Sequence, residues 1–351
     1  MHLIKTLFLL LLLASGASRA QGIAPYEARL GRARPVVAVV GVNSGTELSD
    51  FLAPYAILAR AGSMDVLALG TSAGPIQMRP ALRVAPHATL AAFDAQYPDG
   101  ADYIVVPAVA APDDPVLLPW LAVQAAKGAT IVSICDGALV VARAGIFKQH
   151  RATGHWATHR QRVADYPDTA WLANRRYVAD GKVVSSAGIS AAIPTALALV
   201  EAVAGRARAD EVAAEIGASG WSDQHNSARF GRTPGMLLTA LGNKLLHGQA
   251  RIAIALHDGM DELEMALQAD AFSRTLRSKA YGVADSMAPV MTRHGLQIYP
   301  DLDRSAAAGT VPVAGGNLKQ IISQIRTMYG AGTAHLVAAQ LEYDELAEAN
   351  F

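Results

Sequence analysis

The residues with chemistry to offer are few. The chain of 351 residues holds one cysteine. It stands in Ile131-Val-Ser-Ile-Cys135-Asp136-Gly137-Ala138, ahead of Leu139-Val-Val-Ala-Arg-Ala-Gly145. A β-branched run, a tight turn and a small-residue helix closed by a glycine follow one another there. A buried strand ending against a helix N-terminus puts one side chain at the carboxyl edge of the sheet, where open α/β sheets bind ligands. The layout is that of the nucleophile elbow behind G-x-S-x-G, with cysteine for serine and no first glycine. Gly137 admits the sharp turn and leaves room for a substrate beside the thiol. The helix N-terminus favours a thiolate, so a lowered thiol pKa is expected. The alternative is a small buried hydrophobe at a strand end, a common use of free cysteine. Position and flanks leave both readings open.

Other chemistry is excluded more firmly. His155 and His159 stand four apart, but Trp156-Ala157-Thr158 lacks the glutamate of H-E-x-x-H and no third ligand is indicated, so no metal site is expected. Gly70-Thr-Ser-Ala-Gly74 has the spacing of neither a phosphate loop nor a dinucleotide fingerprint, and no cofactor is expected. Acidic and basic residues balance at thirty each, so no global field draws the protein to nucleic acid or anionic membrane. A single cysteine excludes an internal disulfide framework and a cysteine-based zinc site.

The N-terminus reads as a secretory signal over residues 1–20. Lys5 supplies positive charge, Thr6 to Ala14 form a short apolar run, and Ser18-Arg19-Ala20 is a small-x-small cleavage site. Export, to a bacterial periplasm, is expected, with no stable membrane insertion after cleavage. An unpaired thiol there would be open to oxidation.

The elements that must position Cys135 are legible from patterning. Val36 to Val40, Met64 to Leu69 and Tyr103 to Val106 are apolar runs, as strands buried on both faces of a parallel sheet require. Thr46 is placed to cap a helix that runs to Leu58, and Leu117 to Lys127 is a second helix leading to the cysteine strand. Tyr177-Val178 and Val183-Val184 flank Asp180-Gly181 as a hairpin, and Ile189 to Val203 is an apolar helix. Alternating strands and helices over residues 35–205 argue for a doubly wound, mostly parallel α/β fold. Residues 206–249 form a mixed connector.

From residue 250 the chain begins again. Gly45-Thr-Glu-Leu-Ser-Asp50 aligns with Gly259-Met-Asp-Glu-Leu-Glu264, and Leu82-Arg-Val-Ala-Pro86 with Leu296-Gln-Ile-Tyr-Pro300, both at an offset of 214. Val36-Val-Ala-Val-Val matches Arg251-Ile-Ala-Ile-Ala with a one-residue shift, and Val106-Pro107 matches Val311-Pro312 after a shortening. Residues 250–351 are therefore expected to be a degenerate second copy. Ala334-His-Leu-Val-Ala-Ala-Gln340 stands where the elbow should be and carries no cysteine. An intrachain pseudo-dimer, or a homodimer, is the expected assembly.

Asp50-Phe-Leu-Ala-Pro54, the Cys135 elbow, Ala152-Thr-Gly-His155-Trp156 and Ser186-Ala187-Gly188 together resemble the ThiJ/PfpI family of the class I glutamine amidotransferase-like superfamily. The likeness is greatest to the amidase-like domain joined to AraC-type DNA-binding regions, although no such region is visible. It implies a flavodoxin-like fold, a reactive Cys135, Asp50 as the acid that reaches its sulfur, and His155 nearby. It also implies an oxyanion near the backbone N–H groups of Asp136 and Gly137. A carboxyl beside a thiolate can relay a proton during addition to a carbonyl or isonitrile carbon.

Two departures bear on activity. Where many members carry Gly-Gly after the strand that ends here at Val106-Pro107, this chain has Ala108-Val109-Ala110-Ala111, which weakens the expected oxyanion hole. Asp136 replaces the histidine of peptidase-like members, which argues against proteolysis, and it is expected to cap the helix or face solvent. The first reading is a cofactor-independent cysteine hydrolase, hydratase or lyase acting on a small carbonyl-like or isonitrile substrate. The second is a non-enzymatic ligand-binding or redox-sensing protein.

Overall fold

The computed structural model describes residues 22–343. The leader read at residues 1–20 and the last residues of the second-copy reading, 344–351, lie outside them.

Strand β1 (Val36–Gly41) is buried along its whole length, because helices cover both faces of its sheet. Val37 and Val39 enter the core shared with helix α1 (Leu48–Ala61), and Val36, Ala38 and Val40 the core on the opposite face. With β2 (Asp65–Gly70), β3 (Ala88–Thr89), β4 (Tyr103–Val106), β5 (Thr130–Ser133), β6 (Tyr177–Asp180) and β7 (Val183–Ser186), it forms a seven-stranded sheet in the order β6-β7-β5-β4-β1-β2-β3. Every neighbour pairs parallel except the β6–β7 hairpin. Helices α2 (Leu117–Ala126) and α3 (Gly137–Arg143) line one face, while α1 and α4 (Ala192–Ala204) line the other. The fold is the doubly wound α/β arrangement, flavodoxin-like in kind.

The expected cap of α1 is displaced by one residue. Glu47 holds the N-cap position without a side-chain bond. Thr46 instead exchanges hydrogen bonds with the backbone of Val42, both 2.9 Å, because it sits in a short strand paired to Met78.

The second half contains β8 (Ala250–Ala255), α5 (Glu262–Ser273), β9 (Ser278–Ala284), β10 (Leu302–Asp303) and β11 (Thr310–Pro312). Its parallel sheet runs β10-β9-β8-β11, the same order as β3-β2-β1-β4. Val36 and Ala250 start equivalent strands, 214 residues apart, so the strands match without the expected one-residue shift. Val105 lies opposite Val39, and Pro312 opposite the equivalent Ala253. Val106-Pro107 is thus not the structural partner of Val311-Pro312, because the shortening is smaller than the sequence match implied. It falls where the first lobe has the helix Leu90–Gln96 and the second has only turns.

The two lobes meet across a pseudo-twofold. The segment Arg83–Ala85 pairs antiparallel with Gln297–Tyr299, its counterpart. Helices α1 and α5 pack together, their buried faces merging into one core. At one end Arg60 pairs with Asp261, and at the other Arg274 pairs with Glu47. Arg60 and Arg274, like Glu47 and Asp261, are 214 residues apart. Reciprocal contacts of this kind characterise an isologous interface.

Candidate active site

Cys135 sits between β5 and α3 with φ +56, a left-handed conformation that non-glycine residues seldom adopt. The turn is tied by Gly137 N–H to the Ile134 carbonyl (2.8 Å) and by Cys135 N–H to Ser186 Oγ (3.3 Å). Gly137 is required for a different reason from the one its spacing suggests. A Cβ there would lie 2.0 Å from the Val106 carbonyl oxygen, so the elbow can press against β4 only without a side chain. Its N–H is taken by Ile134, which removes it from the expected oxyanion pair. The Asp136 backbone N–H favours the thiolate of Cys135.

The thiol is not lowered as the helix N-terminus alone would have it. Burial pushes Cys135 well above the usual thiol range, and the carboxylates of Asp50, Asp136 and Glu47 add to this; the Asp136 N–H acts the other way. Desolvation outweighs the dipole of a two-turn helix.

Asp50, in the first turn of α1, is fully buried. Its Oδ2 accepts the Ala108 N–H at 3.1 Å, while Oδ1 is buried and unpartnered among the described residues. Asp50 and Cys135 interact electrostatically, but no hydrogen bond joins them. Burial raises the Asp50 carboxyl well above its usual range, helped by Glu47 and opposed by the Ala108 N–H. The segment that replaces Gly-Gly therefore aims its first N–H at the acid. Ala108 and Ala110 are also held to the neighbouring backbone, by Glu47 N–H to Ala108 O (2.8 Å) and Ala110 N–H to Gly45 O (2.9 Å).

His155 is buried beside the cysteine, and its ring already has two partners. Nδ1 accepts the Ala157 N–H (3.3 Å), and Nε2 meets the Gln340 carbonyl (3.2 Å). In the tautomer with its proton on Nε2 both contacts are hydrogen bonds, so the ring is held in position from both sides. His155 caps a short 3₁₀ turn, Trp156–Thr158, and His159 begins the following helix, so the two do not share a helix face. Asp136 neither caps α3 nor points only to solvent. Its Oδ1 accepts Thr158 Oγ1–H (2.5 Å) and lies 3.7 Å from Arg162. One ligand atom each from Cys135, Asp136 and His155 fall within 4.8 Å of one another, a grouping with the make-up of a metal site. The histidine and aspartate donors are already engaged as described.

Several site residues carry no motif. Arg162 is buried, bonds the His155 carbonyl (2.7 Å) and stacks over Trp171 (5.1 Å). From the second lobe, Arg274 reaches Glu47 and bonds Asp270 (2.6 Å), forming a buried charge cluster beside Asp50. Burial pushes Glu47 up to about 8 despite Arg274. Glu342, after helix α6 (Ala331–Leu341), closes over His155 and Gly188. Only the pairing of lobes brings Arg274 and Glu342 to this side of the sheet.

The DJ-1/PfpI family model matches residues 36–202. The isonitrile hydratase of Pseudomonas putida is 30% identical over 162 residues, covering 44% of this chain and 67% of the relative. The chain belongs to the DJ-1/PfpI family. Among solved structures, Drosophila melanogaster DJ-1β is similar at TM-score 0.47 and 23% identity, over 52% of this chain and 97% of the other. A ThiJ/PfpI family protein from Pseudomonas syringae is similar at TM-score 0.45 and 22% identity, over 52% and 74%. The family match stops at the end of α4, so the connector and second lobe lie beyond it.

Proposed function

We propose that the protein is a cofactor-independent, cysteine-dependent hydratase acting on a small isonitrile or similarly polarised carbon. The observation that carries this is Cys135, in its left-handed elbow, within electrostatic reach of a fully buried Asp50 whose carboxyl burial raises well above its usual range. Asp50 donates its proton to the isonitrile carbon as the Cys135 sulfur attacks that carbon. The thiol proton passes to the Asp50 carboxylate, leaving a thioimidate. Water then adds to the same carbon, nitrogen gains a proton, and collapse of the adduct releases a formamide and the free thiol. Bond formation to sulfur in this sequence creates no oxyanion. It therefore tolerates the Ala108 segment and the engaged Gly137 N–H, which amide hydrolysis would not. The resemblance to an isonitrile hydratase supports the same substrate class. His155 positions the Trp156 turn.

The second lobe, on this reading, is a degenerate copy that serves as the built-in partner of a pseudo-dimer and supplies Arg274. The leader pattern at residues 1–20 supports export, and mass spectrometry of secreted protein should give an N-terminus at Gln21. The enzymatic test is formamide release from a panel of small isonitriles. Wild type should turn over at least one, and Cys135→Ala none. Turnover unchanged in Cys135→Ala would remove the cysteine from the chemistry. The non-enzymatic reading has one observation in its favour, the protonated buried thiol, and predicts ligand binding without turnover.

A further inference from the structure

Glu342 is the most heavily engaged carboxylate near the cysteine, and no step above uses it. It follows α6 with φ +54 and ψ +45, the position where a glycine ordinarily ends a helix. Its side chain is 2% exposed, as is the whole residue. Oε2 accepts the Gly188 N–H at 2.6 Å and the Trp156 N–H at 3.4 Å; Oε1 accepts from His225 Nε2 at 2.7 Å. His225 is itself buried and stacked on Phe230, with ring centroids 5.4 Å apart. The backbone around Glu342 is pinned as well. Ser190 Oγ–H bonds its carbonyl at 2.6 Å, and Trp156 Nε1–H bonds the Ala339 carbonyl at 2.9 Å.

The donors come from the elements that carry the reactive group. Trp156 follows His155, whose ring nitrogen lies within 4.8 Å of the cysteine sulfur. Gly188 follows β7, whose Ser186 holds the Cys135 amide. A Cβ on Gly188 would meet both Glu342 Oε2 (2.4 Å) and His155 Cδ2 (2.7 Å), so this backbone approaches the carboxylate only as glycine. Two backbone N–H groups and one ring N–H converging on a carboxylate are an anion nest.

We propose that the Gly188–Trp156–His225 nest is a carboxylate subsite beside Cys135, occupied in this structure by the chain's own Glu342. Substrates of Cys135 then carry a small carboxylate, which takes the nest when Glu342 leaves it. The assignment of the nest to a substrate rests on the reading of Cys135 as the reactive group. Binding at the nest can be measured without the thiol.

The test is Glu342→Gly in the full chain, which deletes the carboxylate and places glycine in the conformation it favours. The probe is propionate, the deleted side chain as a free acid. Thermal unfolding is followed against sodium propionate at constant ionic strength, with chloride as the control. A saturable rise of about 2 °C at ten times Kd is expected. Wild type and Glu342→Gly/His225→Ala should show none. If Glu342→Gly does not fold, the same titration on Glu342→Gln decides, since a neutral amide holds the nest less well. No propionate-specific rise in the folded variant, or a rise that survives His225→Ala, overturns the subsite. A dead thiol with propionate binding intact would instead count against the proposed chemistry.

Discussion

Glu47 should make this protein lose stability as pH rises through neutrality, and Glu47→Gln should remove its share of that loss. The folded state holds the Glu47 carboxyl at about 8 against an ordinary 4.5. Burial is the main cause, and Asp270 opposes ionisation further while Arg274 favours it. The sign follows from the protons bound. Between those two values the unfolded chain releases the proton and the folded chain keeps it, so the folded state binds more protons. The contribution is fully present below the unfolded pKa and is lost as pH rises toward and through 8. A shift of this size at 1.36 kcal/mol per pKa unit gives about 4 kcal/mol between pH 5 and 9. With 17% of the side chain still open to solvent, about 2–4 kcal/mol is the working range. Thermal unfolding from pH 5 to 9 at constant ionic strength reads it directly. At about 1.5 °C per kcal/mol for a chain of this length the wild-type midpoint should fall by about 3–6 °C. The amide keeps a hydrogen-bond acceptor for Arg274 and has no charge to gain, so Glu47→Gln should show a visibly flatter slope. Identical slopes in the two proteins, or a wild-type midpoint that climbs with pH, would refute the reasoning.

Two further substitutions probe the elbow. Gly137→Ala forces a methyl to within 2.0 Å of the Val106 carbonyl. Overpacking against backbone should cost about 2 kcal/mol or more in urea unfolding; a change under about 0.5 kcal/mol would mean the elbow does not press on β4. Asp136→Asn removes one of the charges that hold the thiol up but keeps an acceptor for Thr158. Alkylation of Cys135 should therefore begin at lower pH, and an unmoved profile would mean that Asp136 does not act on the sulfur.

The fold was legible because its signals are local. Apolar runs such as Val36 to Val40 mark strands buried on both faces, and the offset of 214 between Gly45-Thr-Glu and Gly259-Met-Asp recurs as one strand order in two sheets. The cysteine elbow was legible for the same reason, as a β-branched run followed by a small-residue helix. What the motif misses is contact at long range. The helix dipole argued for a lowered thiol, but the burial and carboxylates that raise it come from α1 and the packed lobes. Asp136 looked like a cap, and it turned to Thr158 because the His155 turn folds back over it. Arg274 and Glu342 stand 139 and 207 residues after Cys135, in a half of the chain without the elbow. No spacing rule could have joined them to the site. Gly137 shows the same limit on a small scale: the sequence marks the glycine, and only β4 explains it.

The pH dependence of Cys135 alkylation by iodoacetamide, with Asp50→Asn alongside, tests the central claim most directly. The claim is that Cys135 and Asp50 form one buried pair in which burial and mutual repulsion favour the protonated form of each. It predicts a wild-type midpoint above the free-thiol value of about 8.5, and a lower midpoint in Asp50→Asn, where no carboxylate opposes the thiolate. A wild-type midpoint below that value, or one that Asp50→Asn leaves in place, would contradict it.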